Sequence, residues 1–129
     1  MNEHSFIRAL HKKLPKSVVT WKINDAYQGG VPDALYMANK TLWVEYKYIK
    51  QLPKKPTTII RHSLTPQQAM WLERLNAADC CAALVIGCQK KCFIVKSAFS
   101  DPITTATYIQ NSVSLDAYTE WLVEQTTGA

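Results

Sequence analysis

Residues 41–48 have the sequence TLWVEYKY, and this stretch decides the fold. Its β-branched and aromatic residues predict a strand. A second run of this kind occupies residues 34–38, and Asn39-Lys40 between the two runs indicates a hairpin. Glu45 and Lys47 are two residues apart in the later strand, so their side chains project from the same face. The hairpin therefore carries a carboxylate and an ammonium group side by side.

A second carboxylate, Asp33, opens the earlier strand directly after Pro32. A two-residue turn would place Asp33 opposite Tyr46, and Asp33 would then point away from Glu45. A shared site therefore requires an odd-numbered loop, a bulge or a bent strand start. Two carboxylates and the main-chain carbonyl of Tyr46 are hard oxygen ligands that suit a divalent cation. A lysine beside them can position or deprotonate water, or stabilise charge on a phosphate, so the pattern favours metal-assisted phosphodiester hydrolysis.

Helices and further strands flank the hairpin on both sides. Residues 2–14 repeat apolar side chains at helical spacing, and Asn2 is a suitable N-cap for a helix that ends before Pro15. Thr65 as N-cap, with Gln68 completing a capping box, predicts a second helix that ends near residue 77. The remaining predicted elements are strands over 17–23, 80–86 and 92–95, a turn over 87–91, and a last helix capped by Ser114. This order predicts an α/β (α+β) fold with a small mixed sheet.

The charge of the chain is unevenly distributed. Its 129 residues carry fifteen Lys and Arg against ten Asp and Glu, a net charge of +5. Residues 1–96 hold all fifteen basic residues and six acids, whereas residues 97–129 hold four acids and no base. The resulting net charge of +9 in the front segment points to a polyanion such as nucleic acid, with ordinary solubility charge as the other interpretation. An apolar content of 47% excludes a disordered chain.

Several stretches together resemble the PD-(D/E)xK nuclease superfamily. GVPD at residues 30–33 and LWVEYK at 42–47 look like its motif, and LTPQQ at 64–68 resembles the start of the helix after its active strand. ALVI at 83–86 looks like the next core strand. The match covers about residues 3–95 and is closest to the small VRR-NUC domains of phages and bacteria and to Holliday-junction resolvases.

The resemblance implies a restriction-endonuclease-like αβββαβ core over residues 1–96, with residues 97–129 as an acidic C-terminal helical appendage. It also implies cleavage of branched or duplex DNA with Mg²⁺ or Mn²⁺, leaving a 5′-phosphate. Because cutting both strands of a junction needs two sites, we expect a homodimer. The acidic segment, with Tyr118, Trp121 and Leu122, is either part of the dimer interface or a stabilising helix.

The resemblance also assigns roles to individual residues. Asp33 and Glu45 would bind the metal together with the carbonyl of Tyr46, and Lys47 would serve catalysis. Glu3, four residues before Ile7 on the inward stripe of the first helix, would orient water or a second metal. A first-turn acid also favours the positive end of the helix, so Glu3 has a second interpretation. Gln68 would support the site, in addition to its place in the capping box.

A basic loop over residues 49–63 follows the active strand. Its basic side chains would flank the metal site and neutralise DNA phosphates: Lys50, Lys54, Lys55, Arg61 and His62. A solvated charged loop is the other interpretation. Tyr46 is bulkier than the aliphatic residue usual at this place in the superfamily. The alternatives to an enzyme are therefore an inactive nucleic-acid-binding module on the same fold and a protein whose basic face binds an acidic partner.

Other features exclude several classes of function. No apolar run approaches the length of a membrane span and no Gly-rich phosphate loop occurs, so we expect neither a membrane nor a nucleotide cofactor. The N-terminus lacks the apolar core of a signal peptide, so we expect the cytoplasm of a bacterial or phage-infected cell. The four cysteines match no common zinc-site spacing, and we interpret His11 as a surface residue rather than a base.

Overall fold

The computed structural model describes residues 1–23 and 29–128, which form four helices and one six-stranded sheet. The elements are α1 (Glu3–Lys13), β1 (Val19–Lys22), β2 (Ala34–Met37), β3 (Thr41–Tyr48), α2 (Pro66–Ala77), β4 (Cys81–Cys88), β5 (Lys91–Val95), α3 (Thr105–Asn111), β6 (Val113–Ser114) and α4 (Leu115–Thr127). The strands lie in chain order, and only β3 and β4 pair in parallel. Within the described ranges, no helix combines the length and apolarity that crossing a membrane requires.

Two helices cover each face of the sheet, and each pair encloses an apolar core. On one face, Phe6 of α1 and Tyr118 of α4 pack against β2 and β3. On the other face, Leu72 of α2 and Tyr108 of α3 pack against β4. Residues 97–129 thus contribute one helix to each core, and β6 adds a strand beside β5. Tyr118 is a core residue of its own chain, which supports the stabilising role for α4.

The hairpin between β2 and β3 has the odd-numbered loop that a shared site requires. Ala34 pairs with Val44 and Met37 with Thr41, which leaves residues 38–40 as a three-residue connection. One step further along the same register places Asp33 opposite Glu45. Since paired residues share a face of the sheet, the two carboxylates lie on the same side. The hairpin therefore satisfies the geometric condition derived from the sequence.

The strand β4 runs further than the sequence predicts. We expect a turn from Gly87, but the strand continues through Cys88 and the turn comes after it. The ring of Phe6 explains the glycine, because a Cβ at position 87 would lie 2.5 Å from a ring atom. Gly87 thus admits an aromatic side chain onto the sheet rather than breaking the strand.

Two short elements, α3 and β6, are absent from the sequence prediction. The seven residues of α3 include two threonines and an asparagine, of which Thr107 and Asn111 are exposed, and show no apolar repeat. The two residues of β6 form a strand only because β5 lies beside them. The predicted helices α1 and α2 are confirmed with their caps, at Asn2 and Thr65 respectively.

Candidate active site

Asp33 and Glu45 come together at one end of the sheet. The main-chain amide of Tyr46 donates to Asp33 Oδ2 at 2.8 Å, which fixes the aspartate beside the end of β3. The main chain of Asp33 is held as well, because its carbonyl accepts from the amide of Ile23 at 2.8 Å. The carboxylate therefore has a defined position although it lies just outside β2.

Glu45 is a buried carboxylate with one satisfied and one unsatisfied oxygen. Its residue is 3% exposed. Oε2 accepts from Gln68 Nε2 at 3.3 Å and lies 3.8 Å from the Lys47 ammonium nitrogen. Oε1 is buried and has no hydrogen-bond partner among the residues that the structure describes. A buried polar oxygen without a partner costs free energy, so this atom is open to a bound cation or, when Glu45 is protonated, to a hydrogen bond with Asp33.

The electrostatics of the site follow from this crowding of acids. Burial, reinforced by the nearby Asp33 carboxylate, raises the pKa of Glu45 to about 9, while Lys47 acts in the opposite direction. Partial burial, and after it the Asp33 carboxylate, raises the pKa of Glu3 as well, while the Lys47 ammonium group lowers it. Carboxylates held close together ionise less readily because their negative charges repel, and a cation bound between them would favour the ionised form.

Glu3 lies at the start of α1, at the edge of this group. Its side chain is exposed and helps to line a small cavity of about 70 Å³ together with Asp33, Lys22 and His11. The structure thus brings the first-helix acid to the site that the resemblance implies. Glu3 contributes to the electrostatics of the site, but Asp33 and Glu45 form its centre.

Gln68 makes the capping-box contacts and also contacts Glu45. Its Oε1 accepts from the amide of Thr65 at 3.0 Å, and Thr65 Oγ1 accepts from the amide of Gln68 at 3.1 Å, which completes the capping box. The same side chain donates through Nε2 to Glu45. The start of α2 therefore orients the buried carboxylate, and the two interpretations are compatible.

The side chain of Tyr46 points to the opposite face of β3. Its hydroxyl lies 2.7 Å from the hydroxyl of Tyr36 and 2.7 Å from that of Tyr118, and Tyr36 in turn lies 2.8 Å from His11 Nε2. His11 is half-buried and bonded to Tyr36, so it is tied to the core rather than free on the surface. Tyrosines at core positions of β2 and β3 were the available signal, because each buried hydroxyl needs a partner.

The basic residues after β3 are placed differently from one another. Lys50, Lys54, Lys55 and Arg61 are exposed. His62 is half-buried, and burial followed by the nearby Lys47 lowers its pKa. His62 therefore belongs to the surroundings of the site, whereas the other four form the outer surface of the loop.

Gln67, which sequence reasoning left without a role, packs against the Gly29-Gly30 turn. Gly30 has φ of +84°, and a Cβ there would lie 2.8 Å from Gln67 Cγ and 3.0 Å from its carbonyl carbon. Trp71 supports the same contact by donating from Nε1 to the carbonyl of Gly29 at 3.1 Å. The segment leading into Asp33 is thereby anchored on α2.

The residues present fit a divalent cation held by few protein ligands. Among residues 1–23 and 29–128, no group of three or more His, Cys, Asp and Glu side chains is placed to hold a metal ion. Asp33 and Glu45 supply two carboxylates, and the main-chain carbonyl of Tyr46 is the further ligand that the sequence implies. Mg²⁺ is commonly bound by one or two carboxylates with water completing its shell, so this set suffices. A cation there would also give Glu45 Oε1 the partner it lacks.

Comparison with known proteins shows a similarity of fold to a solved structure and no similarity of sequence family. No family model matches the sequence, and no curated protein is significantly similar to it. Among solved structures, the chain is similar to Hjc, a Holliday junction resolvase from the archaeal hyperthermophile Archaeoglobus fulgidus, with a TM-score of 0.58. The two share 13% identity over 93% of this chain and 97% of that one, a span that includes most of residues 97–129. The chain thus has a restriction-endonuclease-like fold, which it shares with this resolvase, and the α/β (α+β) fold expected from the sequence is confirmed.

Proposed function

We propose that this protein is a metal-dependent endonuclease that hydrolyses phosphodiester bonds in branched or structured DNA. The observation that carries the proposal is the pairing of Asp33 with Glu45 beside Lys47, with Glu45 Oε1 buried and unpartnered. The similar archaeal protein is a Holliday junction resolvase, which supports branched DNA as the substrate class.

In this proposal, Asp33, Glu45 and the carbonyl of Tyr46 hold Mg²⁺ or Mn²⁺, which when bound supplies Lewis-acid activation of water and phosphate. Water adds to phosphorus and the bond to the 3′ oxygen breaks, leaving a 5′-phosphate and a 3′-hydroxyl. The ammonium group of Lys47 faces the same space and stabilises the negative charge that develops on the phosphate oxygens. Glu3 orients water from the first helix, and Gln68 keeps the Glu45 carboxylate in position.

The basic loop forms the DNA interface of the proposed enzyme. Lys54, Lys55 and Arg61 are exposed next to the active strand in the chain, and Pro53 and Pro56 restrict the loop that carries them. Exposed lysines and arginines bind phosphates without reading the base sequence. DNA affinity that falls steeply with salt, and falls further when Lys54 and Lys55 are reversed in charge, would support this role.

A homodimer completes the proposal, because two strands of a junction are cut only where two sites are present. Light scattering during gel filtration measures the mass directly. A dimer that cleaves both strands in one encounter is expected. A monomer that cleaves paired strands at unrelated times would contradict this part of the proposal.

Cleavage assays with three forms of DNA test the proposal. A four-way junction, a duplex and a single strand are each incubated with Mg²⁺, Mn²⁺ or EDTA, using the wild type, Asp33→Ala and Lys47→Ala. We expect junction cleavage that requires metal and disappears in both variants, while Lys12→Ala on the exposed end of α1 retains it. Binding without cleavage in any metal would indicate an inactive module instead. No DNA affinity at low salt would contradict a nucleic-acid function.

A further inference from the structure

A groove of about 1040 Å³ lies at the end of the sheet where β3 leaves it. Its walls come from Met1, the end of β3 with the loop after it, the β4–β5 turn, and the C-terminal half of α3. None of the acids of the candidate active site lines it. The groove is therefore a separate surface feature at the same end of the molecule.

The charged side chains of the groove are all of one sign. Lys50, Lys90 and Lys91 are exposed around it, and within residues 1–23 and 29–128 no Asp or Glu belongs to its lining. Three lysines without acidic neighbours create a positive potential that attracts a polyanion. The groove is thus complementary in charge to a nucleic-acid backbone.

The floor of the groove is apolar, which distinguishes it from a surface that contacts phosphates alone. Ile109 is 59% exposed and Met1 is 58% exposed, and Tyr48, half-buried at the end of β3 with its ring against Phe6, also lines the groove. A duplex keeps its bases stacked inside, so it would meet only the lysines. An unpaired strand offers base faces to the apolar side chains and phosphates to the lysines at the same time.

The groove is continuous with the basic loop through α3. The amide of Ala106 donates to the carbonyl of Pro56 at 3.0 Å, and the amide of Thr105 donates to that of Thr58 at 2.9 Å. These bonds hold the loop against the first turn of α3, and Ile109 follows on the same helix. A strand held by the loop would therefore have a route along α3 into the groove.

We propose that this groove binds an unpaired DNA strand that leaves the branch point of the substrate. The inference rests on the proposed function, because it names a part of the DNA that lies beyond the reacting phosphodiester. Lys50, Lys90 and Lys91 neutralise the phosphates of this strand. Ile109 and the ring of Tyr48 contact its bases, without selecting a sequence.

Fluorescence anisotropy in EDTA tests this binding directly. The probes are a short fluorescein-labelled oligothymidylate and a duplex of the same length, titrated with wild type, Lys90→Ala/Lys91→Ala and Ile109→Ser. We expect the double variant to reduce the log–log salt slope for the single strand by about 1.4, from two phosphate contacts at about 0.7 each. Ile109→Ser weakens oligothymidylate binding by about fivefold and leaves duplex binding unchanged. The matched control is Lys12→Ala/Lys16→Ala, which removes the same charge from exposed positions at the other end of α1.

Two results would overturn the inference. One is a control variant that reduces the salt slope as much as the groove variant does. The other is an Ile109→Ser variant that binds both probes as the wild type does, while its unchanged melting temperature shows that it is folded. Because EDTA removes cleavage from the assay, groove-dependent binding would stand even if no metal supported cleavage. If the protein cleaves junctions with metal but its single-strand binding does not depend on the groove residues, the proposed function stands and this inference fails.

Discussion

The two faces of β3 treat polar atoms in opposite ways. On one face, the hydroxyls of Tyr36, Tyr46 and Tyr118 form a continuous chain in which each oxygen has a partner. On the other face, one oxygen of Glu45 is buried without any. Leaving a buried polar atom unpaired costs about 1–3 kcal/mol, so a core avoids it and a binding site accepts it. Adjacent residues of one strand are thus divided between holding the fold together and serving the site.

Glu45→Gln removes the charge on the face of β3 that carries the unpaired oxygen, and we expect it to have the largest effect on cleavage. The amide keeps the shape of the side chain but loses the charge, so we expect metal-dependent cleavage to fall about 100- to 1000-fold or more. Single-turnover cleavage of a junction substrate measures the loss. Glu73→Gln, an exposed acid on α2, is the matched control and should cleave like the wild type.

The same variant has a predicted effect on pH dependence. The pKa of Glu45 is raised from 4.5 to about 9, so between these values the folded protein holds a proton that the unfolded chain releases. The free energy of unfolding therefore falls as pH rises through this range in the absence of metal. Urea unfolding in EDTA should show this slope in the wild type, and Glu45→Gln should flatten it. An equal slope in both proteins would contradict the raised pKa.

Gln68 joins the helix cap to the site, and two substitutions separate these roles. Gln68→Ala removes both contacts, so we expect cleavage to fall about 10- to 100-fold and the helix to lose some stability. Gln68→Glu retains an acceptor for the capping box but places a second carboxylate against Glu45. The glutamate variant should therefore keep its melting temperature and still lose cleavage. If both variants cleave normally, Gln68 is only a cap.

Tyr36→Phe removes one hydroxyl from the row of hydrogen bonds that links His11 to Tyr118. The change leaves His11 and the Tyr46 hydroxyl each without one partner, at an expected cost of about 1–3 kcal/mol in the free energy of unfolding. Equilibrium urea unfolding measures it, and cleavage by the folded protein should change much less than in Glu45→Gln. Cleavage that fell as far as in the glutamine variant would show that the two faces are not separate.

His11 gives the smallest predicted effect, and one of opposite sign to that of Glu45. Burial lowers the pKa of His11 below its usual 6.5, so the unfolded chain binds this proton more tightly than the folded protein. The free energy of unfolding should therefore fall as pH drops below 6.5, through the lowered pKa. His11→Gln can still accept from Tyr36 but does not titrate, and should unfold with a weaker acid dependence. The exposed His4→Gln variant should behave as the wild type.

The sequence set the condition for pairing Asp33 with Glu45 and left the means open, because an odd-numbered loop, a bulge or a bent strand start would each bring them to one face. An odd number of loop residues puts both on one face whatever the rest of the chain does. The capping box of Gln68 is equally local, since its two partners are three residues apart. Both predictions concern positions whose geometry is set by neighbours along the chain.

The missed features depend on contacts between distant segments. Gly87 stays in a strand because the ring of Phe6 packs onto it, and nothing near position 87 indicates that ring. Tyr46 finds the hydroxyl of Tyr118 from 72 residues away. The unpartnered oxygen of Glu45 was likewise hidden, because burial is a property of the assembled fold.

The position of Tyr118 has a consequence for how the protein is made. Asp33, Glu45 and Lys47 leave the ribosome long before α4, yet the face of β3 behind them is closed only when α4 packs. A chain terminated before α4 would carry all three of these groups and lack one wall of the core that fixes them. We expect such a fragment to be cleared by proteases rather than to act on DNA. Under the proposed function, late completion of the core would thus keep an incomplete chain from cleaving DNA.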